Sequence, residues 1–312
     1  MESTKTDLLH QASLPSVVLK KTTLFFIPTP TGEWMKVDIN AIDSFKSTKC
    51  FCLKQSYNGS PVLWNPTTGE SKVIPRSRLN SVPPYLSSRY VVLGFGYDSV
   101  TNNYKVVQLT DYRLLKRELK STWELYSLRN NSWKELDTLR PNHRYYSLAQ
   151  NVGMYVNGVS HWWARSESKY DMEECLISFD FSTEVLFTTP APSYLDDTLS
   201  SENHLVLLNE SIALISTYKE TSTFHISILG ELSVKESWTK LFVINHLPFI
   251  HYPIGVGIKN NLVFFKKTDG KLACIDLNTK MIEEDLGVNL WHYGSQIGKY
   301  KKSSLPIGGM HK

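Results

Sequence analysis

Four widely separated stretches of the chain repeat one pattern, a strand followed by a tight polar turn and a second strand. The pattern occurs at residues 63–70, 125–133, 177–185 and 274–280, and a weaker copy spans 226–241. The strand centres recur at intervals of 62, 53, 49 and 47 residues, at Trp64, Tyr126, Phe179, Ile228 and Ile275. One such unit cannot bury both faces of its own sheet, so successive units are expected to pack on one another.

The interval between copies indicates the architecture. A period near ~50 residues is typical of kelch-type blades, which are four-stranded sheets arranged around a centre. Strand-like segments at 24–27 and 34–37 make half a unit, and tail segments around 296–300 and 304–307 could complete it. The sequence therefore predicts an all-β, kelch-like β-propeller of about six four-stranded blades, closed by the N- and C-terminal strands. We assign residues 22–312 to this domain and interpret 1–21 as a weakly structured N-terminal remnant.

Composition narrows the possible functions. A net charge of +4 argues against a general nucleic-acid binder, because phosphate binding needs a concentrated basic surface. Four cysteines in 312 residues do not form a disulfide framework, and no Cys-x-x-Cys or matching His pair indicates zinc. The N-terminus lacks the apolar core of a signal peptide, and no apolar run reaches transmembrane length. We expect no metal, no cofactor, no membrane contact and a cytoplasmic or nuclear location.

Several motifs resemble those of plant F-box-associated domains, in order and over roughly residues 24–307. Residues 63–70 read LWNPTTGE, residues 93–98 and 104–107 read LGFGYD and YKVV, and residues 176–180 read LISFD. The segments SWK at 132–134, YVNGVSHWWA at 155–164 and SWTKL at 237–241 match further elements of that family. The motif residues expected to be structural are Trp64, Asn65, Pro66, Gly94, Gly96, Tyr97, Asp98, Trp133, Trp163 and Trp238. S-locus F-box and F-box/kelch proteins are the nearest relatives that the motifs suggest.

The resemblance implies a role in protein ubiquitination. In that family an N-terminal F-box binds the Skp-type adaptor of a cullin ubiquitin ligase, and the propeller binds the protein to be ubiquitinated. Residues 1–23 offer only Leu14-Pro15 and the apolar run 17–19, which are too short for the three helices of an F-box. We therefore expect the F-box to be missing or truncated, and adaptor and cullin binding only if an F-box function is retained.

No residue pattern indicates catalysis. The acidic runs at 173–174, 196–197 and 283–285 are poor acid/base pairs, because adjacent strand residues point to opposite faces. No Gly-x-Ser-x-Gly elbow is present, and the histidines at 161, 204 and 225 lie in predicted strands. Gly94-Phe95-Gly96 lacks the third glycine and the following helix of a phosphate loop, and is better explained by close backbone packing in a strand.

Two predicted loops have the composition of a binding surface. Residues 110–121 and 139–147 are rich in Tyr and Arg, which are enriched among interface anchors. The candidate partner-binding residues are Tyr112, Arg113, Arg117, Arg144, Tyr145 and Tyr146. Both loops carry net positive charge, so a protein with an acidic patch is the expected partner.

The leading hypothesis is a non-enzymatic, substrate-recognition propeller, and three alternatives stay open at this point. A chain without an F-box could act as a decoy that occupies targets without delivering them, or it could be a non-functional truncated paralogue. An alternative of another class is a propeller glycan binder or hydrolase, which would need two carboxyls from different blades or stacked aromatics around a pocket.

Overall fold

A computed structural model gives the conformation of most of the chain. The structure describes residues 23–28, 34–39, 52–55, 61–64, 68, 70–77, 87–113, 119–136, 144–146, 153–167, 172–195, 201–218, 221–245, 249–257, 261–283, 286 and 296–297. These residues form strands, the turns between them and a turn of 3-10 helix at Lys235–Ser237.

The described strands form six antiparallel sheets, which we number in chain order. Sheet 1 contains β1 (Thr23–Pro28), β2 (Trp34–Ile39) and β23 (Gln296–Ile297). Sheet 2 contains β3 (Cys52–Gln55), β4 (Pro61–Trp64) and β5 (Ser71–Val73). Sheet 3 contains β6 (Ser87–Asp98), β7 (Asn103–Arg113), β8 (Leu119–Ser127) and β9 (Ser132–Glu135).

The remaining sheets follow the same meander. Sheet 4 contains β10 (Arg144–Tyr146), β11 (Met154–Val156), β12 (Val159–Glu167), β13 (Met172–Asp180) and β14 (Val185–Pro190). Both β10 and β11 pair with β12, so they are two segments of one interrupted first strand. Sheet 5 contains β15 (Ser201–Leu208), β16 (Ser211–Tyr218), β17 (Thr223–Leu229) and β18 (Trp238–Ile244). Sheet 6 contains β19 (Ile250–Val256), β20 (Leu262–Lys267), β21 (Leu272–Asp276) and β22 (Ile282–Glu283).

This arrangement confirms the predicted all-β class and the repeated antiparallel unit. The two ends of the chain also pair as expected, because β23 lies antiparallel to β1 with Ile297 opposite Phe25 and Gln296 opposite Phe26. The second predicted tail strand, 304–307, lies outside the described residues, as do residues 1–22.

The polar turns between strands are built alike in three of the sheets. The Asp98 side chain accepts hydrogen bonds from the backbone N–H groups of Val100 at 2.9 Å and Thr101 at 3.2 Å. Asp180 and Asp276 accept hydrogen bonds from the residues two and three positions on in the same way. The fourth residue after each Asp has positive φ, at Asn102, Glu184 and Lys280. Asp favours such turns because its carboxylate satisfies nearby backbone donors, which explains why two copies of the sequence repeat, at 177–185 and 274–280, contain one.

The core lies between sheets, where apolar side chains from neighbouring units meet. Val107, Leu125 and Trp162 belong to one buried cluster shared by sheets 3 and 4. Comparable clusters join sheets 2 and 3, sheets 4 and 5, and sheets 5 and 6. Strands of successive sheets also contact one another in chain order, since β6 contacts β11, β11 contacts β15, β15 contacts β19, and β19 contacts β23. These units therefore bury their faces against their neighbours, as the repeat requires.

Two glycines permit the close packing of sheet 3 on sheet 4. A Cβ atom at Gly94 would overlap the Trp162 ring and lie 2.9 Å from Val107 Cγ1. A Cβ atom at Gly96 would overlap the Phe181 ring. Aromatic rings fill the space that a side chain would need, so these glycines of β6 serve packing.

Part of each segment predicted as a binding loop is strand, which corrects the sequence-based boundaries. Strand β7 continues to Arg113 and β8 begins at Leu119, so most of 110–121 is paired. Residues 144–146 form β10 and pair with 165–167 of β12. The segment 110–121 contains neither Gly nor Pro, and a longer ladder satisfies backbone groups that a loop would leave to water. Polar composition alone does not end a strand.

Candidate protein-binding site

In the part of the chain that the structure describes, the paired strands of sheets 3 and 4 reach further at one end than those of sheets 2 and 6. In each sheet we count residues along the third strand, starting close to the turn that leads into the fourth strand. The starting residue is Tyr126 in sheet 3 and Phe179 in sheet 4. From there the paired strand runs seven residues to Leu119 in sheet 3 and seven to Met172 in sheet 4. The corresponding runs are three residues from Trp64 in sheet 2 and three from Ile275 in sheet 6. In sheet 5 the run is six residues from Leu229, which lies opposite Trp238 as Tyr126 lies opposite Trp133. At about 3.3 Å per residue, the paired strands of sheets 3 and 4 extend roughly 13 Å beyond those of sheets 2 and 6.

We call this projection the crest. It comprises the strand ends Ser87–Arg89, Asp111–Arg113 and Leu119–Ser121 of sheet 3, and Arg144–Tyr146, Arg165–Glu167 and Met172–Glu174 of sheet 4. In an antiparallel meander, the hairpin between the second and third strands and the connection into the next sheet emerge at the same end. The two Tyr- and Arg-rich segments therefore lie at the same end of two adjacent sheets.

The structure thus places five of the six predicted partner-binding residues at the same end of sheets 3 and 4. Tyr112 and Arg113 lie at the end of β7, opposite Lys120 and Leu119 of β8. The other three are consecutive in β10, where Arg144, Tyr145 and Tyr146 pair with Glu167, Ser166 and Arg165. Arg117 lies outside the described residues.

A carboxylate anchors the sheet 4 part of the crest. Glu174 accepts hydrogen bonds from the Trp163 indole Nε1 at 2.9 Å and from Arg165 Nε at 2.8 Å. Asn203 Nδ2, from the first strand of sheet 5, donates to the same carboxylate at 2.5 Å. The Glu174 side chain is 14% exposed, and that of Arg165 is 47% exposed. Glu174 therefore ties two strands of the crest to the body of the neighbouring sheet.

A second carboxylate, that of Glu124, links sheet 3 to sheet 2 beneath the crest. Glu124 is fully buried in β8 and accepts a hydrogen bond from Gln108 Nε2 at 2.7 Å and from Thr110 Oγ1 at 3.3 Å. Ser77, which follows β5 of sheet 2, donates its hydroxyl to the other carboxylate oxygen. A buried carboxylate is stable only when such donors surround it, so this group fixes sheet 2 against sheet 3 beneath the crest.

An ion-pair network joins sheets 3 and 4 at the end opposite the crest, where the turns after Asp98 and Asp180 lie. Lys105 Nζ is 2.7 Å from Asp98 Oδ2 and 2.8 Å from Glu184 Oε1. Burial alone would raise the pKa of Asp98, but hydrogen bonds from Lys105 and Thr101 outweigh it and hold that pKa well below its usual range. Burial would raise the pKa of Glu184 too, but hydrogen bonds from Lys105 and Lys134 outweigh it and lower that pKa. Both carboxylates are therefore ionised, and the two sheets that carry the crest are locked together at this end.

The motif tryptophans also connect neighbouring sheets. Trp133 Nε1 in sheet 3 donates to the carbonyl oxygen of Pro75 after sheet 2, at 2.6 Å. Trp238 Nε1 in sheet 5 donates to the carbonyl oxygen of Pro190 in sheet 4, at 3.1 Å. The Trp163 ring meets the Trp238 ring edge-on at 6.1 Å between centroids. These three tryptophans therefore contribute hydrogen bonds or ring contacts between sheets 2 and 3 and between sheets 4 and 5.

The remaining motif residues divide into two groups. The Tyr97 hydroxyl donates to the Asn102 side chain within the turn after β6, so it stabilises that turn. The Trp64 side chain, Asn65 and Pro66 lie outside the described residues.

His161 has the surroundings of a packed core residue. It is 1% exposed, and its Nδ1 lies 2.8 Å from Ser178 Oγ, which is also buried. Burial lowers the pKa of His161 to about 4, so the ring is neutral near pH 7. The pair has the composition of a base and a nucleophile, but a substrate could reach it only by opening the interface between sheets 4 and 5.

His204 is placed in a similar way in sheet 5. Its ring stacks on Tyr252 of sheet 6, with 5.8 Å between centroids. Burial lowers the pKa of His204 to about 4, against the attraction of Glu202 and with a smaller lowering by His251. This histidine therefore also belongs to the contact between two sheets and is neutral near pH 7.

Neither a metal cluster nor a membrane-spanning helix is found in the described part of the chain. No group of three or more His, Cys, Asp or Glu side chains there is arranged to hold a metal ion. No helix among the same residues is long and apolar enough to cross a bilayer.

Sequence reasoning missed Arg165 and Glu174. Both lie in the strand pair that follows the YVNGVSHWWA motif, and Arg165 is marked by neither a charge run nor a turn signal. The register that places them opposite each other, and Tyr146 opposite Arg165, depends on pairing across three strands. The Glu173-Glu174 doublet is the signal that the sequence does carry, but it points only to a poor acid/base pair and does not indicate an anchor.

Comparison with known proteins identifies the family. The family model of the F-box associated beta propeller domain matches residues 21–304. This chain belongs to the F-box-associated β-propeller family. The match spans every strand described above and agrees with the motifs that first indicated the resemblance.

Curated relatives from Arabidopsis thaliana carry F-box names. The F-box protein CPR1 is 25% identical over 72% of this chain and 56% of its own length. The F-box/kelch-repeat protein At1g24800 is 26% identical over 80% of this chain and 59% of its own length. The F-box protein At5g42460 is 29% identical over 62% of this chain and 48% of its own length. The chain thus spans about half the length of the curated relatives it matches.

Solved structures with an overall likeness are more distant. The Dos1 propeller overlaps 89% of this chain and 74% of its own, with 12% identity and a TM-score of 0.37. An oligogalacturonate lyase from Vibrio parahaemolyticus overlaps 81% of this chain and 68% of its own, with 9% identity and a TM-score of 0.47. Likenesses at this level are too low to transfer an activity.

Proposed function

We propose that this chain is a protein-recognition module that selects targets for an SCF-type ubiquitin ligase through the crest of sheets 3 and 4. It acts by binding and not by catalysis. The observation that carries the proposal is the crest itself, which places Tyr and Arg residues at the ends of two adjacent, rigidly joined sheets in a member of the F-box-associated family. Tyr and Arg are enriched among the residues that contribute most to binding energy, and a rigid backbone beneath them reduces the cost of ordering the site.

The anchoring contacts support this assignment. Glu174, Glu124 and the Lys105 network hold the sheets below and behind the crest, so its backbone can remain fixed when a partner binds. Binding sites on proteins are commonly formed by peripheral segments that a rigid scaffold positions. The crest has that arrangement, with the scaffold supplied by buried carboxylates and aromatic rings.

Delivery of a target to the ligase requires a Skp-type adaptor, and this part of the proposal has a direct test. The purified chain is immobilised and incubated with a plant Skp-type adaptor, with a full-length F-box relative as the positive control. Adaptor binding would mean that residues 1–23 or another surface of the chain replace an F-box, and it would support the delivery role. The absence of adaptor binding, with a cooperatively folded chain and a working control, would contradict the delivery role and favour recognition without delivery.

A further inference from the structure

Arg165 presents an arginine fork at the surface of the crest. Its Nε donates to Glu174 Oε1 at 2.8 Å, and almost half of its side chain is exposed. Among the described residues, the two terminal nitrogens of this guanidinium contact no protein acceptor. When a guanidinium is bound through Nε alone, its two terminal nitrogens remain available as parallel donors. Such a pair of donors binds the two oxygens of a carboxylate.

The fork is held in place before a ligand arrives. Glu174 is itself fixed by the Trp163 indole and by Asn203 of sheet 5, so the carboxylate that orients Arg165 has little freedom. An arginine side chain that is free to rotate loses rotamer entropy when it binds. Holding the plane of the guanidinium in advance reduces this cost and specifies the direction from which an oxyanion approaches.

The neighbouring positions favour one carboxylate over a polyanion. Tyr146 lies opposite Arg165 in the strand register, and Arg144 lies opposite Glu167 two positions further along. Glu173 is exposed beside Glu174, but on the other face of β13, because successive strand residues alternate. Acidic and basic residues are therefore interspersed, which disfavours a nucleic acid or any other extended run of negative charge.

We propose that Arg165, oriented by Glu174, is a specificity-determining residue that binds one Asp or Glu side chain of a partner protein at the crest. This inference rests on the proposed recognition function and names the partner chemistry that function needs. Arg165 would act together with the Tyr and Arg residues of β10, which share its sheet and its end of the molecule.

A random peptide library displayed on phage tests the inference. Selection is run in parallel on the wild-type chain, on Arg165→Gln, on Arg165→Lys and on Lys235→Gln. Lys235 is an exposed basic residue in the 3-10 turn at the opposite end, so its variant controls for loss of one positive charge. A selected peptide and its Glu→Gln or Asp→Asn counterpart are then compared by fluorescence anisotropy, with urea unfolding of each variant to show that it is folded.

The wild type and Lys235→Gln are expected to enrich peptides with one acidic residue at a fixed position. Neutralising that residue should weaken binding to the wild type about tenfold, which is the weight of one charge-assisted hydrogen-bonded pair. The same change should have no effect on binding to Arg165→Gln, and a smaller effect on Arg165→Lys, which cannot bind through two parallel donors.

Peptides selected without an acidic position, or an equal loss in wild type and Arg165→Gln, would overturn the inference and leave a recognition role at the crest standing. A wild-type chain that enriches no peptide would overturn it as well. The adaptor experiment decides the ligase proposal separately, so the two failures can be told apart.

Discussion

Replacing Lys105 by Met should destabilise the protein through the junction of sheets 3 and 4. Methionine keeps most of the side-chain volume but leaves Asp98, which is 0% exposed, without the ammonium 2.7 Å away. Removing one partner of a buried ion pair costs about 3–5 kcal/mol. Asp98 retains its hydrogen bonds from two backbone N–H groups, and Glu184 is partly exposed and still contacts Lys134. We therefore expect the free energy of unfolding to fall by about 3 kcal/mol, which is the lower end of that range.

The chain offers a matched control in the same network. Lys134 also pairs with Glu184, but its side chain is 57% exposed, so Lys134→Met should cost at most about 1 kcal/mol. The assay is equilibrium urea unfolding at pH 7, followed by tryptophan fluorescence, because Trp123 and Trp162 are buried in the interface concerned. Equal losses for the two variants, or a loss below about 1 kcal/mol for Lys105→Met, would refute the reasoning.

The ion pairs of Lys105 with Asp98 and Glu184 predict the direction in which stability changes with pH. A carboxyl whose pKa is depressed in the folded state contributes stability that is present above its unfolded pKa, near ~4, and lost as pH falls below that value. Asp98 and Glu184 both have lowered pKa values. The wild type should therefore lose stability below about pH 4, and the difference between wild type and Lys105→Met should shrink there. A difference that stays constant from pH 7 to pH 3 would contradict the assignment of an ionised Asp98–Lys105 pair.

Three further changes test the packing and titration of the sheets. Gly94→Ala should cost about 1–3 kcal/mol in urea unfolding, because its Cβ would overlap the Trp162 ring; Gly230→Ala, where the nearest atom is the Ser237 carbonyl oxygen at 3.2 Å, should cost less, and the reverse order would contradict the argument. Trp238→Phe removes the donor to the Pro190 carbonyl oxygen and should cost about 1–2 kcal/mol, whereas unchanged stability would show that this hydrogen bond contributes nothing net. His161 has a pKa lowered to about 4, so wild-type stability should fall as pH drops from about 6.5 towards 4, because the unfolded state binds the proton there and the folded state does not. His161→Gln should remove about 2 kcal/mol of that fall when unfolding is measured at pH 7 and pH 4.5, and an identical slope in the variant would exclude His161 as its source.

Much of the fold followed from local chemistry. The turns at Asp98, Asp180 and Asp276 are visible in the sequence because each Asp satisfies backbone donors two and three residues on, within one segment. The pairing of β23 with β1 was predicted from the incomplete units at the two ends. The lengths of the strands at the crest were not predictable in this way. The charged residues of 110–121 suggest a loop, but the two ends of that segment pair with each other as parts of β7 and β8.

The candidate site was predicted only in part. The composition of 110–121 and 139–147 pointed to Tyr and Arg residues, and their common location follows from the meander once the strands are assigned. Arg165 and Glu174 could not be found from composition, since each is an ordinary charged residue in a strand. Their importance depends on Asn203, which is 29 residues from Glu174 in the chain and reaches it only across the interface between sheets 4 and 5.

The repeated unit, the all-β class and the family can be recognised in the amino-acid sequence, because each rests on turn chemistry and motif order within short segments. Which sheets project, which charges meet and which residues are buried together became known only from the folded chain. Strand register and the contact of one sheet with the next set those features, and both depend on residues far apart in the sequence. The ion pair of Lys105 with Glu184 and the fork of Arg165 on Glu174 arise in this way, through pairings that no local pattern encodes.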